Sequence, residues 1–231
     1  MDMAQLSSLT AVLKENISKV IMGKEEEIEK ILLCLYCGGH ILLEDIPGTG
    51  KTTLAKALAR SLDCSFKRIQ FTPDLLPSEL TGINYYNQKE QAFQFRPGAI
   101  FTNILLADEI NRATPRTQSS LLECMEERQC SVDGVTYPMT QPFLVVATQN
   151  PVEIQGTFPL PEAQLDRFFM KLSLGYPDDQ QERAMLTAYQ LQSPLNSLAP
   201  VCAGQDILEV QKQVAQVRVS QPVAAYIVSL A

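Results

Sequence analysis

The sequence predicts an α/β fold built on a parallel sheet, and three runs of residues predict it. The first is the apolar stretch His40-Ile41-Leu42-Leu43, which passes through the glycine-rich turn Pro47-Gly48-Thr49-Gly50-Lys51-Thr52-Thr53 into the helix-forming series Leu54-Ala55-Lys56-Ala57-Leu58-Ala59. The second is Asn103-Ile104-Leu105-Leu106-Ala107, which ends in Asp108-Glu109. The third is Phe143-Leu144-Val145-Val146-Ala147-Thr148, which ends in Gln149-Asn150-Pro151. Strands buried inside a parallel sheet read as continuous apolar runs, and ligands of such sheets bind beyond the strands' carboxyl ends. The glycine turn, the two acids and Asn150 are therefore expected around one crevice.

A strand, glycine turn and helix in that order suit a phosphate-binding loop. The glycines let the backbone curl so that its N–H groups point at a β-phosphate, and the helix adds the positive end of its dipole. In such a loop, here Pro47 to Thr53, Lys51 neutralises the β- and γ-phosphates and the Thr52 hydroxyl ligates Mg²⁺. The pattern G-x-x-x-x-G-K-[ST] is met from Gly50 onward, but Asp45 stands where its first glycine would be. A bare Gly-Lys-Thr is equally a turn capping an ordinary helix, and the flanking strand and helix favour the phosphate loop. The acids extend the reading. Asp108 would hold the Mg²⁺ shell, and Glu109 would orient or deprotonate an attacking water.

A length of 231 residues allows one large domain or a domain and a half. A formal charge of −7 gives no global electrostatic reason to bind nucleic acid or an anionic membrane. No leader-like run follows Met1 and no apolar stretch is long enough to span a bilayer, so a cytoplasmic address is expected. Six irregularly spaced cysteines fit reduced thiols better than a disulfide scaffold. Cys34 and Cys37 form one C-x-x-C in an apolar helical run, without a second pair, and read as buried small hydrophobes rather than zinc ligands.

The first element is a helix from about Leu6 to Val20, with Leu6, Leu9, Leu13, Ile17 and Val20 at helical spacing. A second follows Met22-Gly23, acidic at its start from Glu25 to Glu29, as the helix dipole prefers, with Ile28, Ile31, Leu32 and Leu35 on its apolar face. Gly38-Gly39 ends it. After the phosphate loop come a strand at Phe66–Phe71, a loop or short helix from Pro73 to Gly82, and a hairpin from Gly82 to Gly98. The hairpin's aromatic residues either touch a partner or pack it against the body. Thr114 caps a helix with Pro115 at its first position, where a missing N–H costs nothing, and Leu121, Leu122 and Met125 supply its buried face. Asp133-Gly134 marks a second hairpin, from Gln129 to Tyr137. A short helix within Leu160–Phe169 and a strand through Met170–Leu174 close the core. Three helices then follow: Asp178-Asp179 to Tyr189, about Ile207 to Val217, and one from Pro222 with Val223, Ile227 and Leu230 on one face, cut in mid-element by the end of the chain.

Gly39–Thr52, Leu105–Ala113 (Leu-Leu-Ala-Asp-Glu-Ile-Asn-Arg-Ala), Ala147–Pro151 (Ala-Thr-Gln-Asn-Pro) and Pro159–Phe168 (Pro-Leu-Pro-Glu-Ala-Gln-Leu-Asp-Arg-Phe) together closely resemble the MoxR family of AAA+ ATPases. Asp45 in place of glycine is a usual variant there. The resemblance implies a P-loop AAA+ core over 1–176, with a five-stranded parallel sheet of order 5-1-4-3-2, flanking helices and inserted hairpins. It also implies a helical lid over 177–231, incomplete at its C-terminus, with the second-sensor arginine beyond the last residue; neither Arg183 nor Arg218 sits in that motif. ATP and Mg²⁺ are the implied cofactors, bound between subunits of a ring, commonly a hexamer. Asn150 resembles the sensor of the γ-phosphate, and Arg167 the arginine finger that reaches a neighbouring subunit; the bland alternative for Arg167 is a surface ion pair with Asp166 or Glu162. The Asp133-Gly134 hairpin matches the pre-sensor hairpin, and Val20, Ile21 and Gly23 match the segment lining the adenine pocket.

The expected function is ATP hydrolysis by a chaperone-like remodeller that matures or activates a client complex, with a von Willebrand factor A domain protein among the implied partners. Alternatives are a magnesium-chelatase-type or helicase-like AAA+ motor subunit, or an interaction module that binds ATP with negligible turnover. The acidic net charge disfavours a nucleic-acid motor.

Overall fold

A computed structural model of the protein describes residues 3–152, 156–190 and 193–230. Helices α1 (Met3–Ser18) and α2 (Glu25–Tyr36) precede β1 (Ile41–Glu44), which runs through the glycine turn into α3 (Lys51–Ser61) and β2 (Phe66–Gln70). A short α4 (Pro77–Thr81) leads into the hairpin β3 (Gly82–Asn87) and β4 (Ala92–Pro97). Strand β5 (Ile104–Asp108) passes through one 3-10 turn at Ile110–Arg112 into α5 (Pro115–Glu127). The hairpin β6 (Gln129–Val132) and β7 (Val135–Pro138) comes before β8 (Leu144–Gln149), α6 (Glu162–Leu165) and β9 (Met170–Leu172). Helices α7 (Asp179–Ala188), α8 (Pro194–Ser197), α9 (Gly204–Val214) and α10 (Gln221–Leu230) follow among the described residues.

Five strands form one sheet in the order β2-β5-β8-β1-β9, every neighbouring pair parallel. Numbered among themselves along the chain, they read 5-1-4-3-2 from the β9 edge, as expected. The cause of the apolar runs is visible in the two cores. Ile41, Leu43, Leu106, Leu144 and Val146 face one core with α1, α2 and α3. Leu42, Leu105, Ala107, Val145 and Ala147 face the other, with α5. Alternate residues thus enter opposite cores, and burying each Leu or Val side chain contributes roughly 1.5–3 kcal/mol. The register sets Gln70 opposite Asp108 and Glu44 opposite Gln149, so the strands' carboxyl ends finish together.

In α2 the first turn carries Glu25, Glu26 and Glu27, and Ile28, Ile31, Leu32 and Leu35 are buried as their spacing predicts. The two cysteines of the C-x-x-C differ in burial. Cys34 is buried, and that burial pushes its thiol up to about 12, whereas Cys37 is exposed just past the helix end and is no core residue. Among the described residues no group of three or more His, Cys, Asp or Glu is placed to hold a metal. Pro115 does open α5 after Thr114, but the Thr114 hydroxyl caps no backbone N–H; it lies 3.4 Å from the Thr117 hydroxyl.

Both hairpins form, with Asp133 and Gly134 at φ 50° and 80°, the left-handed pair that the two-residue turn requires. They are clipped together: Asn84 Nδ2 donates to Asp133 Oδ2 (2.8 Å), and Phe95 stacks on Tyr137 with centroids 4.0 Å apart. Phe95 therefore packs its hairpin down, while Tyr86 and Phe93 form an edge-on pair that stays exposed. Beyond β9, α9 buries Ile207 and Val210 in the core shared with α1 to α3, and Gln211 Nε2 donates to the Leu35 carbonyl (2.7 Å). The short α8 is an addition to the three helices expected there. Helix α10 leaves Val223, Ile227 and Leu230 at least half exposed, and Ala231, the last residue of the predicted run, lies outside the described residues. No described helix is long and apolar enough to cross a membrane.

Candidate functional site

The carboxyl ends of β1, β2, β5 and β8 and the start of α3 enclose a cleft of about 410 Å³. Its walls include Pro47 through Thr53, Asp108, Glu109 and Asn150, so the residues expected around one crevice do converge there. Gly48 and Gly50 have φ of +89° and +86°. An added Cβ at either would meet nothing within 4 Å, so the backbone angle is what requires glycine. Gly50 is also the N-cap of α3 and offers no side-chain acceptor, which leaves the helix's first N–H groups directed at the cleft. Lys51 Nζ folds back onto the loop and donates to the carbonyls of Ile46 (2.8 Å) and Asp45 (3.2 Å).

The acids are held by residues that sequence reasoning did not single out. Asp108 Oδ2 accepts from Arg68 Nη2 (2.6 Å) and Nε (3.1 Å), and its Oδ1 accepts from Thr148 Oγ1 (2.6 Å). Glu109 Oε2 accepts from Gln70 Nε2 (2.6 Å) and pairs with Arg112 Nε (3.1 Å). Glu109 itself adopts φ 56°, ψ 51°, a left-handed conformation rare for a residue with a side chain. Its N–H donates to the same Thr148 hydroxyl (2.8 Å), so one side chain fixes both acids. Arg68 and Gln70 sit two apart on β2 and share a strand face. That alternation was readable, but their reach to Asp108 and Glu109 depends on β2 lying beside β5.

Asn150 is buried, and its Oδ1 accepts from the Val152 N–H (3.1 Å). Arg167 lies elsewhere: it ion-pairs with Glu126 of α5, rather than with Asp166 or Glu162, and is not among the residues lining the cleft. Val20 is buried in the core and Ile21 packs against that core, while Gly23 abuts the Gln181 side chain of α7. These three do not line the cleft either.

The donor set suits magnesium. A hydroxyl at Thr52 and a carboxylate at Asp108 are hard oxygen ligands, and Mg²⁺ needs only one or two such protein groups when phosphates and water complete its shell. The cleft also sets Asp108 and Glu109 beside Lys51 and Arg68, and these two cations give it a means of receiving a polyphosphate.

Residues 40–170 match the family model described as the ATPase family associated with various cellular activities (AAA). The chain is 51% identical over 216 residues to the uncharacterized protein YeaC of Bacillus subtilis, covering 94% of this chain and 68% of that one. It is 42% identical over 212 residues to Chaperone MoxR1 of Mycobacterium tuberculosis, covering 92% and 56%. The crystal structure of a candidate ATPase from Cytophaga hutchinsonii superposes with a TM-score of 0.84 at 40% identity, covering 98% of this chain and 71% of that one. The chain spans between about half and two-thirds of the length of the two curated relatives just named.

Proposed function

This chain belongs to the MoxR family of AAA+ ATPases, and from that premise we propose that its cleft binds Mg²⁺-ATP between subunits of a homo-oligomeric ring, a hexamer, and hydrolyses it to drive chaperone-like remodelling of a client complex. The observation that carries the reading is the meeting of Gly48–Thr53, Asp108, Glu109 and Asn150 in one cleft at the ends of parallel strands.

In this reading Lys51 exchanges the carbonyls of Asp45 and Ile46 for the β- and γ-phosphates, while the loop N–H groups hold the β-phosphate. Thr52 and Asp108 would hold Mg²⁺, which when bound neutralises charge on the β- and γ-phosphate oxygens. Glu109 accepts a proton from, or orients, the attacking water, and Asn150 contacts the γ-phosphate side of the cleft. Arg167 serves a neighbouring subunit's cleft. A partner with a von Willebrand factor A domain and a cytoplasmic setting belong to the same proposal.

The test separates binding from turnover. Lys51→Ala should abolish binding of Mg²⁺-ATP in titration calorimetry, because Lys51 contacts ground-state phosphates. Glu109→Gln should retain binding and lose turnover, because Glu109 acts on the water. Equal affinity in wild type and Lys51→Ala would overturn the phosphate-loop assignment.

A further inference from the structure

Asp45, which replaces a glycine of the phosphate-loop pattern, is buried at 4% exposure, and its carboxylate does not point at the loop's own N–H groups. It crosses to the segment after β9. Oδ2 accepts from the Leu174 N–H (2.7 Å), and Oδ1 accepts from the Gly175 N–H (3.0 Å) and the Ser173 hydroxyl (2.9 Å). Successive N–H groups around a left-handed residue form an anion-binding concavity, and Gly175 has φ +61°. Here the chain's own carboxylate fills that concavity. Directly after Gly175 come Tyr176, Pro177 and α7, whose Met185 and Leu186, with Tyr189 at its C-cap, face Gly48–Gly50 across a second cleft of about 580 Å³. The phosphate loop is thus the shared wall of two clefts, one polar and lined by the acids, the other mainly apolar.

We propose that Asp45 is a positioning residue: by clamping Ser173–Gly175 to the head of the phosphate loop, it fixes the apolar α7 wall against that loop and so sets affinity for the nucleoside part of the nucleotide. This rests on the nucleotide reading of the polar cleft. Continuity through Gly48–Gly50 puts the nucleoside of a phosphate-bound nucleotide within reach of the apolar wall, and aromatic and thioether side chains suit a base rather than a phosphate. Asparagine at position 45 would present an N–H₂ where the carboxylate now accepts, leaving at least one of the three donors without a partner and loosening the wall.

The test compares ligands that share phosphates and differ in the nucleoside. Displacement of a fluorescent ADP by ATP, ADP and inorganic tripolyphosphate is measured for wild type and Asp45→Asn. The expected result is about a tenfold loss of ATP and ADP affinity, within the usual about 5–150-fold span of coupling between sites, with tripolyphosphate changed less than about twofold. Equal losses for all three ligands, or no loss for any, would overturn the inference. If Asp45→Asn does not fold, Ser173→Ala removes one donor from outside the loop, and the same selective loss is expected at about two- to threefold; its absence is equally fatal. A wild-type protein that binds none of these ligands would instead defeat the nucleotide reading itself.

Discussion

A hydroxyl at the end of β8 controls both acids of the site. Thr148 Oγ1 donates to Asp108 Oδ1 and accepts from the Glu109 N–H, and the residue is buried at 1% exposure. Thr148→Val keeps the shape and removes both bonds. Each buried group left without its partner costs about 1–3 kcal/mol, so the variant should be destabilised by a few kcal/mol. Glu109 would also lose the bond that holds its left-handed backbone, and a misplacement worth ~1.4 kcal/mol in the transition state is tenfold in rate. We expect kcat to fall about tenfold or more with nucleotide affinity changed little, and Thr148→Ser to restore most of it. Matching kinetics for the valine and serine variants would show that the hydroxyl is idle. Asp108 and Glu109 were legible in sequence because an apolar strand ending in two acids has few other uses beside a phosphate loop. Thr148, Arg68 and Gln70 were not, because each looks like an ordinary strand residue until the sheet sets β2 and β8 on either side of β5. Asp45 was legible only as a departure from a pattern, since its partners lie more than a hundred residues away.

Elements as well as side chains are joined by buried polar groups, and His40 joins three of them. At the head of β1, its Nδ1 accepts from the Val145 N–H of β8 (2.9 Å) and its Nε2–H donates to the Met125 carbonyl of α5 (3.1 Å), an arrangement that requires a neutral ring. Burial, aided by the charge of Arg128, pushes its pKa from the ordinary 6.5 down to about 3. Between those values the unfolded chain binds a proton that the folded chain refuses, so stability is full above about pH 6.5 and falls as pH drops, by up to about 1.4 kcal/mol per unit. Urea unfolding from pH 7 to pH 4 should show a steeper loss for wild type than for His40→Gln, which keeps an acceptor and a donor without a titrating ring; parallel curves would refute the assignment. The single histidine carried no such signal in sequence, because its partners come from elements that meet only in the fold. Elements with long periodic patterns, such as α1, α2 and α5, were readable, since one buried stripe dictates the spacing. The four-residue α8 was not, being too short to repeat a stripe, and Cys37 was misplaced because the helix ends just before it.

At the scale of the whole molecule, the role proposed for Arg167 decides whether the site is self-contained or shared. Its guanidinium is paired with Glu126 on α5, and it is absent from the residues lining its own chain's cleft, whereas every other residue proposed for the hydrolytic chemistry lines that cleft. A cation that stabilises the transferring phosphoryl group must touch it, so Arg167 can serve this chemistry only in a neighbour's cleft, after giving up Glu126. Charge supplied in this way acts in the transition state and is worth about 10³–10⁵ in rate where it has been separated, with little effect on ground-state binding. Arg167→Ala should accordingly bind nucleotide nearly as well as wild type and turn it over at least about a thousandfold more slowly. The decisive measurement mixes two inactive proteins. Arg167→Ala retains Glu109, and Glu109→Gln retains Arg167, so a ring assembled from both contains interfaces with one intact set of each. Under conditions where subunits exchange, the mixture should regain a fraction of wild-type ATPase activity that follows the statistical share of such interfaces and peaks near equal amounts. If activity stays at the level of the separate variants although mass measurement shows mixed rings, Arg167 does not act across the interface, and its pairing with Glu126 is then its role in the fold.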